Sequence, residues 1–267
     1  MRLLVFSAEK QWEVKRILGE CGKKKILCMA VGPKNSGKIS PREFDAVLFR
    51  AIRGHAKQAI SLARRAAAAG LVVVDEKLAR GIDRSKLWNY ALFRKAGLFV
   101  PKTILLTKKS VPKLAGFSGQ KIVVKPLFGK RGEGLQLVGK GDTKKLRRLA
   151  TGGKYMAQEF VPIKKEIRVM VIGGKVVGGV SKQTGNWVHN FYRGAKPVKA
   201  RLTEKMKSVC LRAARAVQTE IAGIDLALTP RGMFVLEANR SPGFKAFEKG
   251  TGKNVAGIIV GYIAGRI

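Results

Sequence analysis

The run Ile221-Ala-Gly-Ile-Asp-Leu-Ala-Leu-Thr-Pro-Arg-Gly-Met-Phe-Val-Leu-Glu-Ala-Asn-Arg-Ser-Pro-Gly243 reads as two apolar strands, residues 224–228 and 233–238. A Thr-Pro-Arg-Gly turn joins them. Glu237 and Asn239 are two residues apart, so on a strand they share a face. Folding back at the turn brings Asp225 alongside them. Two carboxylates and an amide converging at strand ends are costly to bury without a hard cation, and oxygen donors of this kind suit Mg²⁺. Composition sharpens the point. The chain carries 17 acidic residues against 54 basic ones, so an acid inside an apolar strand is not casual.

The 267 residues are enough for one large domain or two modest ones with a real core. No long uncharged apolar run is present, which predicts no transmembrane helix, no membrane partner and a cytoplasmic location. The opening Met1-Arg-Leu-Leu-Val-Phe-Ser7 is too short in its apolar part for a signal peptide and reads as a first strand. Cys21, Cys28 and Cys210 match neither a disulfide framework nor a zinc pattern. With only His55 and His189, a His-based metal site or a Ser-His-Asp triad is a poor expectation. The formal charge of +37 predicts attraction to polyanions such as RNA, ribosomes, nucleotides or acidic peptide tails. That charge is spread along the whole chain, as it is also in a protein from a uniformly basic proteome.

Residues 1–82 alternate strand and helix signals: strands at 2–6, 25–31, 45–49 and 71–74, helices at 9–18 and 55–69. This alternation predicts a small α/β layer with a mainly parallel sheet. Gly32-Pro-Lys-Asn-Ser-Gly-Lys38 imitates a phosphate-binding P-loop, but Ile39 stands where Ser or Thr must hold Mg²⁺, and no helical period follows. A turn is the better reading. From Asp83 an amphipathic helix runs to Gly97, capped by Asp or Ser, and residues 100–106 read as a strand. No acidic residue lies between Asp83 and Glu133, giving this segment a strongly positive field.

Lys121-Ile-Val-Val-Lys125 is a strand that leads into a loop carrying Gly129, Gly132 and Gly134, whose backbone N–H groups can close over phosphates. The loop leads into another strand, which excludes a Rossmann arrangement. Residues 155–161 form a buried strand whose Gln158-Glu159-Phe160 resembles a purine-binding linker. Residues 166–172 and 175–181 form a hairpin around Gly173-Gly174, and Arg168 in its apolar strand faces a ligand or an acid rather than solvent. A polar loop sets Asn190 near Arg193, an amphipathic helix covers 203–219, and a closing helix covers 254–264.

The ordered set Lys86, Lys125, Gly129–Gly134, Gln158-Glu159-Phe160, Glu166-Ile-Arg168, Asn190, Arg193, Asp225, Glu237-Ala-Asn239 and Ser241-Pro-Gly243 resembles the ATP-grasp ligases, most closely the RimK-like amino-acid ligases. The resemblance runs from Asp83 to the C-terminus. It implies an α/β chain of the α+β ATP-grasp kind: a pre-ATP-grasp domain at 1–82, resembling relatives in topology only, and a two-lobed ATP-grasp domain at 83–267. The lobes would be 83–155, with a glycine lid at 129–134, and 156–267, with the metal site.

By resemblance, Lys86 and Lys125 contact ATP phosphates or the adenine N7 region, and Gly129, Gly132 and Gly134 form a mobile lid. Glu159 and Phe160 bind adenine, and Glu166 holds the ribose hydroxyls where relatives usually carry Asp. Asn190 lies by nucleotide and metals, Arg168 and Arg193 by the transferring phosphoryl group. Asp225, Glu237 and Asn239 hold two Mg²⁺ or Mn²⁺ ions. The implied reaction is ATP-dependent carboxylate–amine ligation through an acyl phosphate. It would add glutamate or another amino acid to an acidic, carboxylate-bearing acceptor such as a protein tail, carrier protein or small cofactor. Relatives often form homo-oligomers. Arg240 departs from the small residue common in relatives and adds positive charge at the acceptor side. The competing reading is a basic RNA- or ribosome-binding protein on a non-catalytic ATP-grasp scaffold.

Overall fold

The computed structural model of the chain describes residues 1–9, 11–81, 85–129, 132–183, 191 and 194–267. Its first layer is a four-stranded sheet of β1 (Arg2–Ser7), β2 (Leu27–Val31), β3 (Ala46–Arg50) and β4 (Val72–Val74). The order is β2-β1-β3-β4 and every pairing is parallel. Between these strands lie α1 (Trp12–Lys23) and α2 (Ala56–Ala68). Strand alternation sends Leu3 and Val5 toward Val14, Ile17 and Cys21 of α1, while Leu4 and Phe6 meet Ala59, Leu62 and Ala63 of α2 on the opposite face. The expected small parallel layer is therefore present. Its first helix starts later than expected, because Gln11 keeps an extended backbone as N-cap. The P-loop-like stretch is a turn, followed only by a single 3-10 turn, Pro41–Glu43, before β3.

The second sheet has order β5-β8-β6-β7, all antiparallel: β5 (Thr103–Leu105), β6 (Lys121–Pro126), β7 (Gln136–Gly139) and β8 (Tyr155–Glu159). The helix leading into it, α3 (Lys86–Lys95), is capped by the Ser85 hydroxyl, which accepts the Trp88 N–H at 3.1 Å. β5 is shorter than its apolar run, since Pro101 cannot donate to a ladder. A short helix, α4 (Thr143–Leu149), was not expected; Leu146 is its only fully buried side chain.

The third sheet, order β11-β10-β9-β12-β13, is antiparallel and carries the opening hairpin. Its strands are β9 (Lys165–Ile172), β10 (Lys175–Gln183), β11 (Lys196–Ala200), β12 (Ile221–Thr229) and β13 (Gly232–Asn239). Ile167, Val169 and Val171 of β9 pack with Cys210, Ala213 and Val217 of α5 (Glu204–Ala216) and its C-cap on one face. Their neighbours Glu166, Arg168 and Met170 therefore point to the other. The chain closes with α6 (Lys245–Thr251), which the sequence reading missed along with β11, and α7 (Val255–Ala264), capped by Asn254. Ile259, Val260 and Ile263 of α7 enter the same core as Leu3, Val5 and Ile17, so the first layer and the end of the chain share one interior. All three cysteines are free, and no helix among the described residues is long and apolar enough to cross a membrane.

Candidate functional site

The β12–β13 hairpin contains a bulge that aims its acids. Leu226 pairs with Val235, but Asp225 pairs with Glu237, so Leu236 is an extra residue on β13. In an uninterrupted register Glu237 would face Ile224 and the α5 side. The inserted residue turns Glu237 to Asp225's face, and Asn239 follows it opposite Gly223. Ser241 and Pro242 then fold back, and a Cβ at position 223 would stand 2.8 Å from the Pro242 ring, so only glycine admits that approach.

Asp225 is 4% exposed and is held by cations from two strands of its sheet. Arg168 grips it bidentately, Nε to Oδ1 at 2.8 Å and Nη2 to Oδ2 at 2.7 Å. Lys182 Nζ lies 2.9 Å from the same Oδ2 and also donates to Glu166. Burial opposes ionisation of Asp225, but Arg168 and then Lys182 outweigh it and hold the carboxyl well below its ordinary range. Arg168, whose burial disfavours its charge, is in turn held protonated by Asp225. The Phe191 ring covers both cations, 5.9 Å from the Arg168 guanidinium and 5.8 Å from Lys182 Nζ. Lys182 was missed by the sequence reading. Like Arg168, it is a cation in a largely buried strand.

The facing wall is the second sheet. Ile122 and Val124 of β6 enter its core, which leaves Val123 and Lys125 on the cleft side. Lys125 Nζ donates to Gln158 Oε1 at 2.6 Å. Burial first, then repulsion from Lys86, brings the Lys125 ammonium down to about 8. Lys86, the first residue of α3, reaches Glu237 Oε1 at 3.8 Å. Gly129 and Gly132 line the same cleft beside Phe128. Gly134 adopts φ 69° with its hydrogen against Pro126; a Cβ there would fall 2.7 Å from the ring. Glu159 is buried and paired with Arg231, a partner not foreseen; burial works against its ionisation, and Arg231 outweighs it.

Lys86, Lys125, Gly129, Gly132, Glu159, Phe160, Glu166, Arg168, Asp225, Glu237 and Asn239 thus border one cavity of about 1020 Å³. Gly134 lies just outside its lining, and Asn190 and Arg193 fall outside the described residues. Among the described residues no three His, Cys, Asp or Glu side chains form a metal cage. The Asp225, Glu237 and Asn239 oxygens nevertheless fit Mg²⁺, which is commonly held by one or two carboxylates and completes its shell with phosphate and water.

Residues 83–263 match the model of the RimK-like ATP-grasp domain. The chain is 31% identical over 229 residues to a protein of Teredinibacter turnerae named "Probable alpha-L-glutamate ligase", covering 82% of this chain and 76% of that one. A protein of Methanococcoides burtonii with the same name is 32% identical over 234 residues, covering 82% and 76%. Among solved structures, the ATP-grasp ligase PsnB complexed with a minimal precursor superposes with TM-score 0.80 at 18% identity, covering 99% of this chain and 98% of that one. D-cycloserine synthetase DcsG gives 0.77 at 16% identity, with 100% and 99% covered. These two share the fold.

Proposed function

The chain belongs to the RimK-like ATP-grasp family of ADP-forming ligases, and from that premise we propose that it joins an amine to a substrate carboxylate through an acyl phosphate. The amine would be glutamate or another amino acid, and the acceptor an acidic protein tail, carrier protein or small cofactor. One observation supports this reading: Lys125 of the second sheet and Lys86 of α3 face a carboxylate–amide set from the third sheet across a single cavity.

In this proposal Lys86 and Lys125 bind the ATP phosphates, the glycine loop closes over them, and Glu159 and Phe160 flank the adenine. Glu166 takes the ribose, and Arg168 with Arg193 neutralises charge on the phosphoryl group in transfer. Asp225, Glu237 and Asn239 hold Mg²⁺, of which we propose two ions; when bound, they would polarise the γ-phosphoryl oxygens. Lys182 holds Asp225 and Glu166 in position until ligand arrives. Exclusion of water by the closed loop protects the acyl phosphate from hydrolysis. We place the division between the two domains at 82/83 and the lid at 129–134.

The test is ADP formation with L-glutamate and a panel of acidic acceptors, with mass spectrometry of the product. Acceptor-dependent ADP and an added amide support the ligase. The charge of +37 favours one other reading, a scaffold associated with RNA or the ribosome. No turnover across the panel, together with salt-sensitive RNA binding, would select it. A homo-oligomer is part of the proposal and is checked by light scattering.

A further inference from the structure

The three cysteines do not sit alike. Cys21, in the last turn of α1, has no exposure to solvent, whereas Cys28, the second residue of β2, is half-buried. In the parallel pairing of β1 with β2, Cys28 stands beside Leu3, so both side chains point to the face that α1 covers. Cys21 and Leu3 belong to the core on that face, and Cys28 packs against it. The two thiols meet there, with the Cys28 S–H donating to the Cys21 sulfur. Cys210 lies apart, buried between α5 and the third sheet.

The chain between them fixes this approach. The Ile26 N–H bonds back to Cys21 O at 2.9 Å and the Lys25 N–H to Gly22 O at 3.1 Å. These paired bonds close a helix when the residue after its cap turns left-handed, as Lys25 does at φ 56°. β2 then runs along the edge of its sheet, with Leu27 69% and Met29 41% exposed on either side of Cys28. A small reagent therefore reaches Cys28 from the open edge, and Cys21 stands behind it. The hydrogen bond from Cys28 brings the Cys21 thiol down from its ordinary value, outweighing burial, so a thiolate is available beside the exposed sulfur. Burial alone takes the unpaired Cys210 thiol the other way, up to about 12.

We propose that Cys21 and Cys28 are a redox-modified pair, which a peroxide converts to a reversible disulfide joining α1 to β2. The Cys28 sulfur attacks one peroxide oxygen while its proton passes to the Cys21 thiolate. The O–O bond breaks, hydroxide leaves, and Cys28 becomes a sulfenic acid. Cys21 then attacks the Cys28 sulfur; the S–O bond breaks and the oxygen departs as water with the Cys21 proton. Together the sulfurs lose the two electrons that the peroxide gains. The site is independent of the ligase reading, but its position gives it reach. Along α1, Glu13 Oε1 accepts the Phe244 N–H at 3.2 Å, Arg16 Nε donates to Glu248 Oε2 at 3.2 Å, and Glu20 Oε2 accepts from Asn254 Nδ2 at 2.8 Å. The disulfide thus fastens the helix that holds the segment following the metal hairpin.

In the test the reduced full chain is treated with hydrogen peroxide and digested with trypsin in the absence of reductant. Lys23, Lys24 and Lys25 lie between the two cysteines, so trypsin separates their fragments and only a disulfide keeps them together. The expected result is a linked pair of fragments lighter by two hydrogens, parted by dithiothreitol, with Cys210 left as a free thiol. The linked protein melts about 5 °C above the reduced one, because the cross-link restrains the unfolded chain. In Cys28→Ser the sulfur open to solvent is gone, and Cys21 and Cys210 both survive peroxide unmodified. Oxidation of Cys28 without linkage in the parent, survival of all three thiols, or linkage through Cys210 overturns the pair. Modified Cys21 in Cys28→Ser overturns the order of attack, and a linked protein that melts no higher overturns the fastening.

Discussion

Lys182 Nζ lies 2.9 Å from Asp225 Oδ2 while donating to Glu166, so one buried ammonium serves two carboxylates from neighbouring strands. Lys182→Met removes the ammonium that Asp225 and Glu166 share and leaves Asp225 with Arg168. Breaking a buried ion pair from one side costs about 3–5 kcal/mol, which corresponds to a fall in Tm on the order of 10 °C. Calorimetry checks this. A melting temperature within a few degrees of the parent would mean that the acids are solvated without Lys182.

Among the described residues the ion-pair partner of Glu237 is Lys86, at a distant 3.8 Å, so Glu237→Ala should leave the melting temperature nearly unchanged. ADP formation should fall by at least about 100-fold, the scale of losing one transition-state electrostatic contact. Unchanged turnover would remove Glu237 from the metal-holding set.

Nucleotide affinity should depend on Lys125. With the ammonium at about 8 in the free protein, rising pH converts it to the neutral amine above that value. A bound phosphate favours the ammonium and raises its pKa, so binding takes up a proton there. The Kd for ADP therefore increases as pH rises through 8, at most about tenfold per pH unit, and is flat below it. Titrations in buffers of different ionisation enthalpy detect the proton, and Lys125→Met should show neither effect.

Deleting Leu236 should be worse than truncating it. Without the extra residue Glu237 moves opposite Ile224, onto the face that packs against α5. The deletion is expected to abolish turnover and to lower Tm through burial of an unpaired carboxylate, whereas Leu236→Ala keeps the register and most of the activity. Equal activity in the two variants would show that the bulge does not aim the acid.

The hairpin was legible because its cues are local: a two-residue spacing for Glu237 and Asn239, a Pro-Arg-Gly turn, and acids in a chain poor in them. Lys125 and the glycine loop were legible for the same reason. The bulge was not, since two residues opposing one is a property of the pair of strands. Lys182 hid behind its neighbours: Ser181-Lys-Gln183 reads as a polar strand end, and its burial comes from Phe191 and Glu166. α4, α6 and β11 were missed because their few apolar residues are buried by partners distant in sequence.

The packing of α7 against α1 has a consequence for synthesis. Leu3, Val5 and Ile17 leave the ribosome long before Ile259, Val260 and Ile263, with which they share a core. Domains that close locally can fold during translation. Here one face of the first sheet stays uncovered until α7 emerges, so this layer cannot close by itself early in synthesis. A nascent chain stalled before α7 should remain protease-sensitive within β1 and α1, becoming resistant once α7 has emerged.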